Sequence, residues 1–151
     1  MKIVRNKIFE TNSSSTHSFT LSEDKIQYQL PIHIHPDWEG EFGWDFETWR
    51  SKEEKLAYVL RCYMSLVDYK YSSNKDIYMG NLYRAFKPIQ NRFKKIGITF
   101  DLPTYDEWKY GYVDHGNEYV EDLNYIYNND ENLLKFILND NSYIEGGNDN
   151  C

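Results

Sequence analysis

The chain has 151 residues and carries a formal net charge of -7 at pH 7. This length is enough to bury the core of one domain without support from a metal or a disulfide. The negative charge argues against a protein that coats nucleic acid through a generally basic surface. Aromatic residues make up 17% of the sequence, so we expect a core built from rings more than from aliphatic side chains.

The two cysteines, Cys62 and Cys151, are too few to form a disulfide framework. The start of the chain carries charges at Lys2, Arg5 and Lys7 and has no uninterrupted apolar stretch, so it does not resemble a signal peptide. No later apolar stretch approaches the length of a membrane span. The sequence therefore predicts a soluble protein of the cytoplasm that makes no membrane contact.

The most informative stretch is residues 9–18, the opening polar segment, which lies between a strand predicted within residues 3–9 and a second one at residues 17–21. Ser, Thr and Asn side chains compete with the backbone for hydrogen bonds. Such a run favours tight turns and presents hydroxyl and amide groups to its neighbours. Its candidate ligand-binding residues are Asn12, Ser13 and Ser15.

Residues 32–35 alternate Ile and His, which predicts an edge strand with both imidazoles on one face. Residues 37–49 then place Trp38, Trp44 and Trp49 among acidic residues and glycines. A segment of this kind is more often a loop that its rings pin to the core. The alternative is a recognition surface for a carbohydrate, a base or a partner protein.

The clearest predicted element is a long amphipathic helix. Ser51, with Glu54 three residues later, predicts a capping box at its start. Apolar residues then recur at helical spacing until the helix ends near Tyr69.

A second helix is predicted to begin at Asp76. Pro88 interrupts its apolar pattern, so we expect a kink or two shorter helices there. Gly97 is a suitable end for this region. Residues 98–102 then predict another strand.

Two short helices are predicted at residues 120–127 and after Asp130, followed by a last strand at residues 143–144. Residues 146–150, the closing polar segment, contribute the candidate ligand-binding residues Asn148 and Asp149. Strands at both ends with helices between them predict an α+β fold. We expect one domain over residues 1–151, with a small, mostly antiparallel sheet packed against a helical middle section.

Residues 5–18, 41–44, 113–115 and 142–150 together resemble a group of small, largely uncharacterised proteins from bacteria and their phages. The resemblance spans nearly the whole chain. It implies a single-domain protein from a phage or another mobile element, which would act in the host cytoplasm and whose polar segments belong together. It implies no particular activity.

The candidate catalytic residues are Ser14, His17, Asp114 and His115. A serine hydroxyl becomes a nucleophile when an imidazole accepts its proton and a carboxylate orients that imidazole. However, no G-x-S-x-G motif fixes such a nucleophile, and a run of serines can equally form turn and capping hydrogen bonds.

A divalent ion is a further possibility, because His17, Asp114, His115, Glu118 and Asp149 are side chains of the type that ligate metals. Their spacing matches no metal-binding motif. The sequence therefore predicts neither a metal nor a cofactor.

Three classes of function stay open. In the first, the protein binds and inhibits a host protein, such as a defence factor that binds nucleic acid, without binding nucleic acid generally itself. In the second, it is a small hydrolase or transferase, and in the third it is a module that binds a nucleotide-like ligand. The predicted anchors for the first class are Trp38, Trp44, Trp49 and Trp108, because aromatic residues dominate interface hot spots. The other two classes require the polar segments to meet in space. The sequence does not predict an oligomeric state.

Overall fold

The computed structural model of the protein describes residues 1–4, 15–43 and 45–148. The strands in these ranges are β1 (Lys2–Val4), β2 (Ser15–Thr20), β3 (Ile32–Ile34), β4 (Glu41–Phe42), β5 (Glu47–Trp49), β6 (Ile98–Phe100), β7 (Tyr112–Val113) and β8 (Tyr143–Asn148). The helices are α1 (Lys52–Met64), α2 (Lys75–Lys94), α3 (Tyr105–Tyr110), a 3₁₀ helix (Gly116–Tyr119), α4 (Val120–Tyr127) and α5 (Asp130–Leu138). This arrangement confirms the predicted α+β fold.

The main sheet has four strands in the order β1-β2-β8-β5, and all of its pairs are antiparallel. The last strand, β8, lies between β2 and β5, so the two ends of the described chain meet inside one sheet. Two further pairs, β3 with β6 and β4 with β7, are parallel. β1 pairs antiparallel with β2, and the connection between them falls outside the described residues.

Helix α1 begins as predicted and ends earlier. The Ser51 side chain accepts from the Glu54 backbone N–H, and Glu54 returns the bond, which is the predicted capping box. The helix stops at Met64 instead of near Tyr69. Val67 and Tyr69 still pack against the core from the segment that follows, so the apolar pattern continues beyond the end of the helix.

Of the two predicted outcomes at Pro88, a division into two shorter helices is wrong, because helix α2 runs through Pro88 as one element, and a kink stays a prediction. Pro88 is exposed, and water can therefore satisfy the carbonyl that lacks the proline N–H. The cap is Asn74 instead of Asp76, because its side chain accepts from the backbone N–H groups of Asp76 and Ile77. Gly97 ends this region as predicted, with a left-handed φ of 87°.

Aliphatic side chains outnumber rings among the buried hydrophobic residues of the described chain, so the prediction of a core built more from rings is wrong, although rings are the largest of them. Phe19 of β2 meets Tyr58, Tyr119 and Phe136 edge-on, with ring centroids 5.7 to 6.3 Å apart. These contacts join the main sheet to α1, the 3₁₀ helix and α5. No helix in the described ranges is long and apolar enough to cross a membrane.

A buried cation lies under this core. Lys55 of α1 is 0% exposed, and its Nζ donates to the backbone carbonyls of Asn139 and Ser142, each at 2.7 Å. Desolvation lowers the pKa of Lys55 from 10.5 to about 8. Between these two values the unfolded chain binds more protons than the folded protein, so stability rises with pH in this window.

We expect Lys55 to add about 2 kcal/mol to the free energy of unfolding from about pH 7.5 to about pH 9.5. The buried Cys62 thiol offsets part of this increase, because burial raises its pKa and only the unfolded chain ionises it in this range. Urea denaturation at several pH values measures it, and Lys55→Met should abolish most of the increase. Lys52→Met is the matched control, because Lys52 is an exposed lysine of the same helix and should leave the increase intact. A wild-type stability that falls over this range would contradict the assignment. Measurements stay below pH 10. Burial raises the pKa of Tyr58 well above its usual value, so at higher pH the unfolded chain alone would ionise this tyrosine and stability would fall.

Candidate functional site

The antiparallel register of β2 and β8 brings the opening and closing polar segments together. Ser15 lies opposite Asn148, Thr16 opposite Gly147 and His17 opposite Gly146. The candidate residues Asn12, Ser13, Ser14 and Asp149 lie outside the described residues. The backbones of the two segments therefore meet at one end of the main sheet, while a shared catalytic arrangement of their side chains stays a prediction.

His17 is a buried bridge in this structure. It is 0% exposed, its Nδ1 lies 2.7 Å from the Tyr58 hydroxyl and its Nε2 lies 2.9 Å from the Gly43 carbonyl oxygen. Because a carbonyl only accepts, Nε2 carries the proton and Nδ1 accepts from Tyr58. The ring also stacks on Tyr119 with centroids 4.6 Å apart. This geometry favours a structural role over the predicted catalytic one, since both ring nitrogens already have partners.

The Asp114-His115 turn adjoins the same loop. The Asp114 backbone N–H donates to the Phe42 carbonyl at 2.8 Å, next to the Gly43 carbonyl that binds His17. His115 has a left-handed φ of 54°, which is uncommon outside glycine and recurs at functional sites. Its Nε2 lies 3.7 Å from an Asp114 carboxylate oxygen. Residues 41–43 thus connect the opening polar segment to the Asp114-His115 turn.

A cleft of about 340 Å³ opens beside His115, and Arg61, Tyr69, Trp108 and Tyr112 contribute to its lining. Arg61 is only 8% exposed, and desolvation lowers its pKa to about 10, so the guanidinium stays charged at neutral pH. Its Nη2 donates to the carbonyl oxygens of Trp38 at 2.6 Å and Glu107 at 3.0 Å. Arg61 therefore stabilises the carboxyl end of α3 and ties it to the loop after β3.

Carboxylates gather around the exposed ring of Tyr112. Glu41 lies opposite Tyr112 in the pairing of β4 with β7. Desolvation and then the negative charges of Glu41, Asp114 and Asp45 raise the pKa of Tyr112. Phe46 is 82% exposed and lies against the β8 backbone, where a Cβ added at Gly147 would come within 3.1 Å of its ring. We define the acidic face as Glu41, Asp45, Phe46, Glu47, Tyr112 and Asp114.

Two of the predicted anchors, Trp38 and Trp49, are not exposed. Trp38 is 0% exposed and its Nε1 donates to the Asp101 carbonyl at 3.0 Å, and Trp49 is 4% exposed and contacts Phe42 and His17. Trp108 is half-buried against Trp38, and Trp44 lies outside the described residues. Burial of these large rings stabilises the core, so Trp38 and Trp49 fit the favoured prediction of a loop pinned by its rings.

A second polar cluster escaped the sequence interpretation. His33 lies 2.8 Å from Asp101 and His35 lies 3.0 Å from both Asp101 and Glu107, all on the exposed side of β3 and β6. The two imidazoles share a face as predicted, but their carboxylate partners depend on a parallel pairing that the sequence does not reveal. Hydrogen bonds to Asp101 and then Glu107 raise the pKa of His35. The chain of bonds ties α3 to the β3–β6 pair.

Within the described ranges, no group of three or more His, Cys, Asp or Glu side chains is placed to hold a metal ion. No protein-family model, curated protein or solved structure gives a match to this chain. The functional argument therefore depends on the geometry of the acidic face and of the polar segments beside it.

Proposed function

We propose that this protein binds and inhibits a host defence or nucleic-acid-processing factor through the acidic face. The observation that carries the proposal is a large ring, Phe46, which is 82% exposed and is flanked along the chain by the carboxylates of Asp45 and Glu47. An exposed aromatic ring with charged neighbours has the composition of an interface hot spot and its polar rim. The resemblance to phage and mobile-element proteins supports a host protein as the partner.

Charge decides between this proposal and a nucleotide ligand at the same place. In the part of the chain that the structure describes, Glu41, Asp45, Glu47 and Asp114 form no ion pair with Lys or Arg. Such a surface repels phosphate and attracts a basic protein surface. Proteins that bind nucleic acid present basic surfaces of this kind. The acidic face would compete there with the nucleic acid.

The hydrolase or transferase alternative has weaker support. His17 bridges Tyr58 and Gly43, so its imidazole serves the fold in this state. The remaining acid–base pair is Asp114 with His115, beside the cleft that Arg61 lines. This pair is accessible, but it borders the acidic face and so favours substrates without phosphate.

We expect Phe46→Ala to weaken binding of the partner by about 2 kcal/mol, or about thirtyfold in Kd. A partner captured from a bacterial extract is purified, and its Kd for each variant is measured by biolayer interferometry. Tyr125→Ala is the matched control, because Tyr125 is a 56% exposed ring on α4, outside the acidic face, and its loss should leave Kd unchanged.

Charge reversal adds a second readout to the same experiment. Glu41→Lys combined with Asp45→Lys should slow association and remove its dependence on salt, because rim charges act mainly on the association rate. A partner whose binding ignores Phe46→Ala and the reversals would contradict the proposal. An enzyme would instead keep binding in these variants and lose turnover in His115→Asn.

A further inference from the structure

A second cleft lies where the start of α2 meets α3. It has a volume of about 160 Å³ and is lined by Tyr71, Lys75, Tyr78, Tyr105, Trp108 and Lys109, with Ser72 and Ser73 at its margin. We propose that this aromatic–lysine cleft binds a nucleotide, with the base among the rings and the phosphate at the two lysines. The proposal does not depend on the partner-binding function of the acidic face.

The rings supply faces and edges for a planar base. Tyr71 is 78% exposed, and its ring centroid lies 5.6 Å from that of Tyr78 at an angle of 57°. Tyr78 in turn meets Tyr105 edge-on at 6.5 Å. Stacking on aromatic side chains is a main source of affinity for unpaired bases, and it tolerates every base because each has a π face. The volume of about 160 Å³ is enough for one base among the rings.

The lysines make the cleft specific for an anion. The Lys75 Nζ lies 4.7 Å from the centroid of the Tyr105 ring, and the Lys109 Nζ lies 5.9 Å from the same centroid. Neither ammonium has a carboxylate partner in the described part of the chain. Two like charges around one ring repel each other, and a phosphate between them would remove that repulsion.

The combination distinguishes a nucleotide from other ligands of aromatic clefts. A neutral sugar can also stack on tyrosine rings, but it carries no negative charge to pair with the two ammonium groups. Inorganic phosphate would use the lysines alone and leave the exposed Tyr71 ring without a contact. A base joined to a phosphate uses both halves of the cleft. Its source is either a free nucleotide or the phosphorylated end of a single strand.

The test compares four ligands by isothermal titration calorimetry: AMP, adenosine, ribose 5-phosphate and inorganic phosphate. AMP should bind about tenfold or more tightly than each of the other three, because only AMP carries both the base and the phosphate. Tyr71→Ala should remove the preference for AMP over ribose 5-phosphate. Lys75→Met combined with Lys109→Met should remove the preference for AMP over adenosine.

Matched variants control for nonspecific effects. Lys87→Met removes an exposed lysine of the same helix outside the cleft, and Tyr125→Ala removes an exposed tyrosine of α4, so both should bind AMP like the wild type. Circular dichroism confirms that each variant is folded. A 5′-phosphorylated dinucleotide separates the sources: tighter binding than AMP identifies a nucleic-acid end, and equal or weaker binding identifies a free nucleotide.

The proposal is overturned if AMP gives no heat of binding at millimolar concentration. It is also overturned if adenosine or inorganic phosphate binds as tightly as AMP. The same holds if Tyr71→Ala and the double lysine variant, once shown to be folded, bind AMP with an unchanged Kd. Loss of AMP binding in the Lys87→Met control would show a general effect of charge, and this result would also contradict the cleft.

Discussion

Replacing Gly111 by alanine should lower the free energy of unfolding by about 3 kcal/mol or more. A Cβ at this position would lie 1.8 Å from the Trp38 carbonyl oxygen and 2.6 Å from the Arg61 Nη2. Those two atoms form a buried hydrogen bond of 2.6 Å, so the methyl group would enter the bond itself. Backbone on one side and a buried cation on the other leave no flexible neighbour to move. Urea denaturation of the purified variant measures the loss.

Gly80→Ala is the control for this prediction. Gly80 lies inside α2, and an added Cβ would meet only the Arg84 guanidinium at 3.7 Å, which is an ordinary contact. Alanine should therefore stabilise the protein by about 0.5 to 1 kcal/mol through helix propensity. If both variants changed stability by similar amounts, the close approach at Gly111 would be refuted.

Local signals in the sequence predicted local structure well. The capping box at Ser51 and the left-handed glycine at Gly97 were visible because each acts within a few residues of itself. The sequence failed where a second segment decides the outcome. The apolar pattern after Met64 predicted more helix, yet Val67 and Tyr69 pack against the core from the segment that follows the helix. The prediction that α2 would divide at Pro88 failed for the same reason. Pro88 is exposed, so water can satisfy the carbonyl that lacks a backbone donor and the helix continues.

Strand pairing was the larger gap. The sequence predicted a last strand at residues 143–144, whereas β8 extends to Asn148 and occupies the middle of the main sheet. The register that sets Ser15 opposite Asn148 depends on residues about 130 positions apart, and no periodicity encodes such a pair. The parallel pairs that give His33 and His35 their carboxylates were hidden in the same way.

The candidate site was predicted in part. The sequence identified the polar segments, and the structure connects the described parts of three of them through residues 41–43. The sequence did not predict correctly that Trp38 and Trp49 are buried, because a tryptophan beside carboxylates gives the same sequence pattern whether its ring points inward or outward. Trp38 and Trp49 point inward, and the exposed ring among the carboxylates is Phe46. The aromatic–lysine cleft is formed by residues from two helices and from the loop before α2, so the pattern of no single segment predicted it.

The role of His17 can be decided by stability. We expect His17→Ala to lower the free energy of unfolding by about 3 kcal/mol, because it opens a cavity beside Tyr119 and leaves the buried Tyr58 hydroxyl without its acceptor. Tyr58→Phe should cost less, about 1 kcal/mol, since it removes only the hydroxyl and keeps the ring. Urea denaturation of both variants gives the two values.

His115→Asn is the matched control among the histidines. The His115 side chain is 42% exposed, and asparagine tolerates the left-handed backbone that His115 adopts, so stability should change by less than about 0.5 kcal/mol. A catalytic His17 would give the opposite pattern: wild-type stability in His17→Ala with loss of turnover. A structural His17 instead predicts that partner binding by the acidic face weakens in His17→Ala even where the variant is folded. The reason is that its bond to Gly43 holds the loop from which Asp45 and Phe46 project.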